Sequence, residues 1–344
     1  MRFKHAAALL ALIVLSGCAS LGGGFGPDRR TALQARLDGL VSAYRAFGPD
    51  EKAGVAVEEV RSGAVVAVDG RTFYPQQSVA KLWVALTVLD EVDHGRLRLS
   101  DPVHVTRADM SVFNQPIQKR LGPDGTYDTT IDGLLELAIS KSDNAANDIL
   151  LKLAGGQAAV EHMAAEKQLG WIRAGLSEQT LECWVAGVDW RPAYSFGTAF
   201  QDARARLDPA FRDRRLRAYV ADPWDGATPL ALTDALVRLK RGALLSPAST
   251  QRLLDLMAGA TTGPGRLGGG LKPGWTLAHK TGTGQDLGDM TTGYNDIGLL
   301  TGPDGRTFAV AVMIASTRRP IPERMALMSD VTRAVIEAAA KPAL

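Results

Sequence analysis

Lys81 sits in the stretch YPQQSVAKLWVAL, among Val79, Leu82, Trp83, Val84, Ala85 and Leu86. A buried ammonium is costly unless it is paired or gives up its proton. Ser78 lies three residues earlier, and side chains at that spacing share one face of a helix. An amine kept from water can take a hydroxyl proton, which would make the pair an activated nucleophile for acyl transfer. The spacing alone is weak, because a serine three residues before a lysine arises about once by chance in a chain this long. A helix cap beside a snorkelling lysine would explain it more simply. Two further stretches change the weighing: SKSDNAAND, around Ser142-Asp143-Asn144, and AHKTGTG, around Lys280-Thr281-Gly282-Thr283. Each triplet has a chance rate of about one in ten or less, and all three in this order are far rarer.

The elements that must position these residues follow from periodicity. From Ser78 to about His94 the residues Val79, Leu82, Leu86 and Leu89 recur at helical spacing, with Gly95 as the stop, so Ser78 and Lys81 open a helix. Ser142–Asn144 falls between helical pieces at 134–139 and 145–153, the second ended by Gly155-Gly156. Lys280–Thr283 ends a strand that begins near Trp275. Other strands are expected at 55–60 and 65–68, around the turn Arg61-Ser62-Gly63, and at 297–301 and 308–314, flanking GPDG. Further helices are expected over 33–44, 230–240 and 249–257 and from near Pro322. Strands occupy both ends of the chain and helices the middle. The economical architecture is an α/β (α+β) sandwich: an antiparallel sheet from both termini flanked by the terminal helices, with an all-helical domain inserted. The sheet domain takes residues 31–74 and 262–344, and the helical domain takes 75–261.

With these motifs in this order, the chain resembles the serine β-lactamase and penicillin-binding-protein superfamily, closest to the class A β-lactamases, from about residue 31 to the end. The resemblance implies that Ser78 attacks the substrate carbonyl, that Lys81 accepts its proton as a neutral amine, and that Ser142 passes a proton to the leaving nitrogen. It gives the oxyanion to the backbone N–H groups of Ser78 and Thr283. The substrate carboxylate falls to the strand Lys280, Thr281, Gly282 and Thr283, and the substrate's side-chain amide to Asn144. Asp143 is expected to cap the helix at Ala145 and stays outside the catalytic set. Gly282 and Gly284 also fit a turn. No arginine occurs between Lys280 and Arg306, so an arginine partner for the carboxylate must come from elsewhere. No metal or organic cofactor is implied.

A class A enzyme also uses a glutamate, within an E-x-x-L-N loop, to activate the water that frees the acyl group. LSEQTLECW supplies Glu178, 36 residues after Ser142, then Leu181, then Glu182 where the family usually has asparagine. Between Lys167 and Pro322 there is no other glutamate. Two carboxylates one turn or less apart repel, and one pKa should rise. A protonated Glu178 would be a poor base; alternatively Glu182 points away or holds the water itself. After Glu182 about thirty extra residues intervene, an insertion over 183–227 that is too long to be a bare loop. It is rich in aromatic rings and carries six arginines between Arg204 and Arg217. It reads either as a helical elaboration with a solvated basic face or as a wall that reshapes the cleft.

Composition bounds the partners. Arg2 and Lys4 precede AAALLALIVLSGC, a basic start and an apolar stretch too short to span a bilayer. This reads as a leader over residues 1–17, and LSGC resembles the bacterial lipoprotein signal, in which Cys18 is lipidated; ordinary cleavage near Ala19 is the alternative. Residues 18–30 read as a flexible tether. Removing Arg2 and Lys4 leaves 37 basic residues against 37 acidic, and this balance makes nucleic acid a poor partner. With Cys18 lipidated, Cys183 has no disulfide partner and a cysteine-based zinc site is excluded. The expectation is a periplasmic monomer anchored to the membrane by lipid on Cys18, the outer membrane being favoured if the host is Gram-negative, acting on a β-lactam or peptidoglycan-like small substrate. Two alternatives stand beside a β-lactamase. One is a D-alanyl-D-alanine peptidase or related serine hydrolase with slow deacylation. The other is a non-catalytic murein-binding lipoprotein, which a fluorescent penicillin would not label at Ser78.

Overall fold

The structure is a computed structural model and describes residues 26–340. The leader, Cys18 and most of the tether lie outside the described residues. The tether, expected to run through Arg30, ends earlier: Pro27 opens helix α1 (Pro27–Arg45), where its missing N–H and fixed φ suit the first turn.

The chain next forms strands β1 (Lys52–Glu59), β2 (Val65–Val68) and the short β3 (Tyr74–Pro75). A 3-10 turn, Gln77–Ala80, leads into α2 (Lys81–Asp93), which ends before Gly95 at φ 73°. Strands β4 (Pro102–Thr106) and β5 (Thr126–Thr130) form a small polar hairpin ahead of α3 (Ile131–Ser140), α4 (Asn144–Leu153) and α5 (Gln157–Glu166). The hairpin and α5 escape the apolar pattern because little of either is buried; α5 buries only Val160 and Met163. Then come α6 (Glu178–Ala186), α7 (Ala199–Ala205), α8 (Pro209–Ala221) and β6 (Gly226–Ala227), followed by α9 (Pro229–Lys240) and α10 (Pro247–Ala258). The last part supplies β7 (Thr276–Thr283), β8 (Asp286–Leu287), β9 (Met290–Thr301), β10 (Thr307–Thr317) and α11 (Ile321–Ala339).

The main sheet runs β2-β1-β10-β9-β7, with β8 on β9, and is antiparallel throughout. It draws on both ends of the chain, since Val57 of β1 faces Val310 of β10. Successive strand residues point to opposite faces. Val55, Val57, Val310 and Val312 therefore pack under Leu33 and Leu37 of α1 and Met328 and Val331 of α11. Ala309, Ala311 and Met313 face the other way, into a core shared with α2, α3, α4, α9 and α10. Covered on both sides, β10 reads as an unbroken apolar run rather than an alternating one. Helix α2 is buried nearly all round, as a helix apolar on every face must be, and it carries Lys81 to the middle of the molecule.

Asp143 is the cap the sequence suggests, and more. Its Oδ1 accepts from the Ala146 N–H at 2.9 Å and its Oδ2 from the Ile117 N–H at 2.6 Å, fully buried. Replacing it by alanine removes the cap and strands a buried donor, so Asp143→Ala should lower stability by about 2–4 kcal/mol. Thermal unfolding checks this, with Asp143→Asn expected to lose less.

Candidate active site

Ser78 is held by the turn before α2. Gln77 adopts φ 54°, in the left-handed region, and its N–H donates to Asp225 Oδ2 at 2.6 Å. Asn295 Nδ2, on β9, donates to the Pro75 and Gln76 carbonyls at 2.7 and 3.1 Å. Lys81 lies one turn on, with Nζ 2.9 Å from Ser78 Oγ and 2.5 Å from Glu178 Oε1. It is 1% exposed. The buried amine therefore has a carboxylate partner at hydrogen-bond distance, supplied by Glu178.

Glu178 opens α6, whose first turn is capped by Ser177. Asp148, on α4, accepts the Glu178 N–H at 2.7 Å on Oδ1 and the Ser111 hydroxyl at 2.8 Å on Oδ2. Asn147 Nδ2 lies 3.5 Å from Glu178 Oε1. Sequence reasoning missed both residues. Their signal lay within SKSDNAAND, where positions three and four after Asn144 fall on its helix face. Burial, then the charge of Glu178, pushes Asp148 up to about 7. The same two causes push Glu182 up to about 8. Glu182 is thus driven toward its protonated form, and the reason is local. The ammonium sits on Glu178, while Glu182 receives only the Gln285 amide, Nε2 to Oε2 at 2.6 Å.

The facing wall is β7. Lys280 is fully buried, and its Nζ donates to Ser142 Oγ at 2.8 Å and to the Thr281 carbonyl at 3.0 Å. Burial, and next the charge of Lys81, pushes its pKa well below the ordinary lysine value. Ser142 itself stands at φ 57° between α3 and α4. Gly282 is not a turn residue: it lies inside β7, where a Cβ would come 2.3 Å from the Gln76 carbonyl oxygen. Its function is close approach, and it does not face the cavity. Its carbonyl instead accepts Arg266 Nη1 at 2.9 Å. Arg266 also donates to the Asn295 carbonyl at 2.6 Å and to Thr283 Oγ1 at 2.5 Å, with its guanidinium 3.8 Å over the Tyr294 ring. An arginine thus does lie beside Thr283, on the segment that leads into β7 rather than after Lys280.

Between the walls lies a cavity of about 440 Å³, lined among others by Ser78, Ser142, Asn144, Glu182, Thr281 and Thr283. Lys81, Glu178 and Lys280 stand just behind that lining. Asn144 Nδ2 donates to the Val112 carbonyl at 2.9 Å. Among the described residues, no group of three or more His, Cys, Asp or Glu side chains is placed to hold a metal ion. The insertion over 183–227 combines both readings made of it. Trp184 stacks on Trp224 with centroids 4.1 Å apart, as internal packing would have it, while Arg204 reaches the cavity wall.

Residues 32–339 match a family described as the beta-lactamase enzyme family. The chain is 27% identical over 303 residues to the β-lactamase VEB-1 of Pseudomonas aeruginosa, covering 88% of each. It is 29% identical over 261 residues to the extended-spectrum β-lactamase PER-1 of the same organism, covering 76% of this chain and 73% of that one. A β-lactamase crystal structure from Chitinophaga pinensis superposes with a TM-score of 0.73 at 27% identity, covering 90% of this chain and 99% of that one. An ancestral class A β-lactamase gives 0.69 at 29% identity, covering 89% and 99%. The chain belongs to the beta-lactamase enzyme family, with the class A serine β-lactamases.

Proposed function

We propose that this β-lactamase opens the lactam ring through an ester on Ser78 and that Glu178 activates the water that releases the product. The observation that carries the reading is the single ammonium, Lys81 Nζ, in contact with both Ser78 Oγ and Glu178 Oε1. The hydroxyl proton can pass to Lys81 as Lys81 hands its own to Glu178, so no unpartnered charge is left in the buried groove. Ser142 Oγ gives its proton to the leaving nitrogen and recovers one from the ammonium form of Lys280, which burial makes more acidic. The Lys81–Glu178 pair gains a proton while Lys280 loses one, and exchange with water restores both. In the second half Glu178 takes a proton from water, the resulting hydroxide attacks the ester carbonyl, and Ser78 Oγ departs with a proton from Lys81.

The oxyanion is assigned to the backbone N–H groups of Ser78 and Thr283, each such donor being worth about 3 kcal/mol. Lys280, Thr281, Thr283 and Arg266 are assigned the ring carboxylate, and Asn144 the substrate's side-chain amide. Glu182, driven toward its uncharged form below about pH 8, offers a donor and an acceptor much as the amide of asparagine does, and is assigned to hold the water. A peptidase with slow deacylation would need Glu178 turned away from the nucleophile, and its contact with Lys81 favours the hydrolase. We further assign the protein to the periplasm, tethered by lipid on Cys18, on the strength of the leader and LSGC.

Nitrocefin turnover by the purified protein tests the reading. The wild type should turn over continuously and Ser78→Ala not at all, while Glu178→Gln should give one equivalent of product and then a rate lower by about 10³-fold. A single stoichiometric burst from the wild type would sink the hydrolase assignment. The pH dependence follows from Glu182. It is protonated below about 8 and ionised above, so kcat should fall on the alkaline side of that value, and Glu182→Gln should remove the limb. The linkage has the same sign. A carboxyl whose folded pKa is raised contributes stability at low pH that is lost as pH rises toward that value. The same substitution should therefore raise Tm more at about pH 8.5 than at about pH 5. A limb that persists in Glu182→Gln would assign it to another group.

A further inference from the structure

Arg204 belongs to the insertion, on α7, and lines the cavity. Its Nη2 donates to the Asp286 carbonyl at 3.2 Å, and Arg212 Nη2 donates to the same oxygen at 3.1 Å. Two guanidinium groups thus share one backbone dipole. Neither forms an ion pair among the described residues, and Arg204 Nε is buried without a hydrogen-bond partner. The guanidinium lies 5.6 Å from the ring centroids of both Phe113 and Phe200, which are themselves packed edge to face at 5.0 Å. Those rings shield it without supplying a counter-charge. The nearby acids act only from a distance: the Asp286 carboxylate accepts the Thr291 hydroxyl, burial drives Glu182 toward its uncharged form, and neither forms an ion pair with Arg204. Burial, then the charge of Arg212, works against the cationic form of Arg204, and the attraction of these two acids offsets part of it. A cationic pair that is partly desolvated and has no anion in contact is suited to one brought by a ligand.

The location says which part of the substrate that would be. Phe113 follows Val112, whose carbonyl anchors Asn144. Arg204 therefore spans the cavity from Phe113, next to the anchor of Asn144, to Asp286, three residues beyond Thr283; it borders the place assigned to the substrate's side-chain amide, while Arg266 and Thr283 are assigned the ring carboxylate. We propose that Arg204, supported by Arg212, binds an anionic substituent on the acyl side chain, so that the enzyme favours β-lactams bearing a second carboxylate beyond the amide. The proposal rests on the assignment of Ser78 as nucleophile and of Asn144 to the side-chain amide.

Benzylpenicillin and carbenicillin form a matched pair, differing by one carboxylate on the acyl side chain. The reading is the second-order acylation rate of each, measured on the purified full-length protein by competition with a fluorescent penicillin, which does not depend on deacylation. Arg204→Gln should lower the carbenicillin-to-benzylpenicillin ratio about tenfold, and Arg204→Lys should restore part of it. In the wild type the ratio should fall severalfold as salt rises from about 0.02 to 0.5 M, a result that needs no variant to fold. A ratio within twofold of wild type in a folded Arg204→Gln, or a wild-type ratio indifferent to salt, overturns the proposal. Failure of both penicillins to acylate the wild type would instead overturn the assignment of Ser78 on which it rests, whereas failure of carbenicillin alone overturns the proposal.

Discussion

The contact on which the site depends is the one between Lys81 and Glu178. An ammonium within an almost wholly buried helix persists only with an anion beside it, and the partners here come from elements nearly a hundred residues apart, Lys81 on α2 and Glu178 on α6. Removing one partner of such a buried pair costs about 3–5 kcal/mol, because it leaves the other charge stranded. The surrounding architecture follows from keeping that contact. Asp148 and Asn147 fix the first turn of α6 from below, and Asp225 and Asn295 fix the turn before Ser78. Glycine at 282 lets β7 close against that turn.

Around the pair, charge is distributed unevenly. Glu182 and Asp225 are buried and Asp148 partly so, and desolvation raises each, to about 8, 6 and 7. Lys280 and Arg266 contribute nitrogen donors to the opposite wall. The result is a groove in which these three acids hold their charge less readily than in water, while donors line the facing wall. That balance suits an anionic substrate whose reaction develops negative charge on a carbonyl oxygen.

Much of this was legible in the sequence, and the reasons are local. Lys81 drew attention because an ionisable residue broke an apolar helical pattern, but it took the triplets at Ser142 and Lys280 to give Ser78 and Lys81 weight, and Asp143 was readable because a cap precedes its helix. The sheet from both termini was readable because its strands are apolar runs set apart from the helices. What stayed hidden depends on distance in space. Arg266 precedes its partners on β7 and reaches them only through the fold. Asn147 and Asp148 read as ordinary polar residues of a helix until α6 is laid across them. Which group would meet Lys81 in the core turned on where the carboxylate of Glu178 points, which no spacing specifies. Glu182 was flagged as a departure, but the residue that takes its carboxyl, Gln285, lies 103 positions away.

Strand pairing between β1 and β10 has a consequence for how the molecule is made. Val57 meets Val310, so the first strand waits for nearly the entire polypeptide before it gains its inner neighbour. Closing so long a loop is entropically slow, and β7, which brings Lys280 to the groove, emerges almost as late. A growing chain therefore exposes its apolar middle helices before the surface that covers them exists, which is the state most open to aggregation. Assembly of the groove is tied to completion of the chain, and a protein cut short before Thr307 would have a half-built sheet and no competent site.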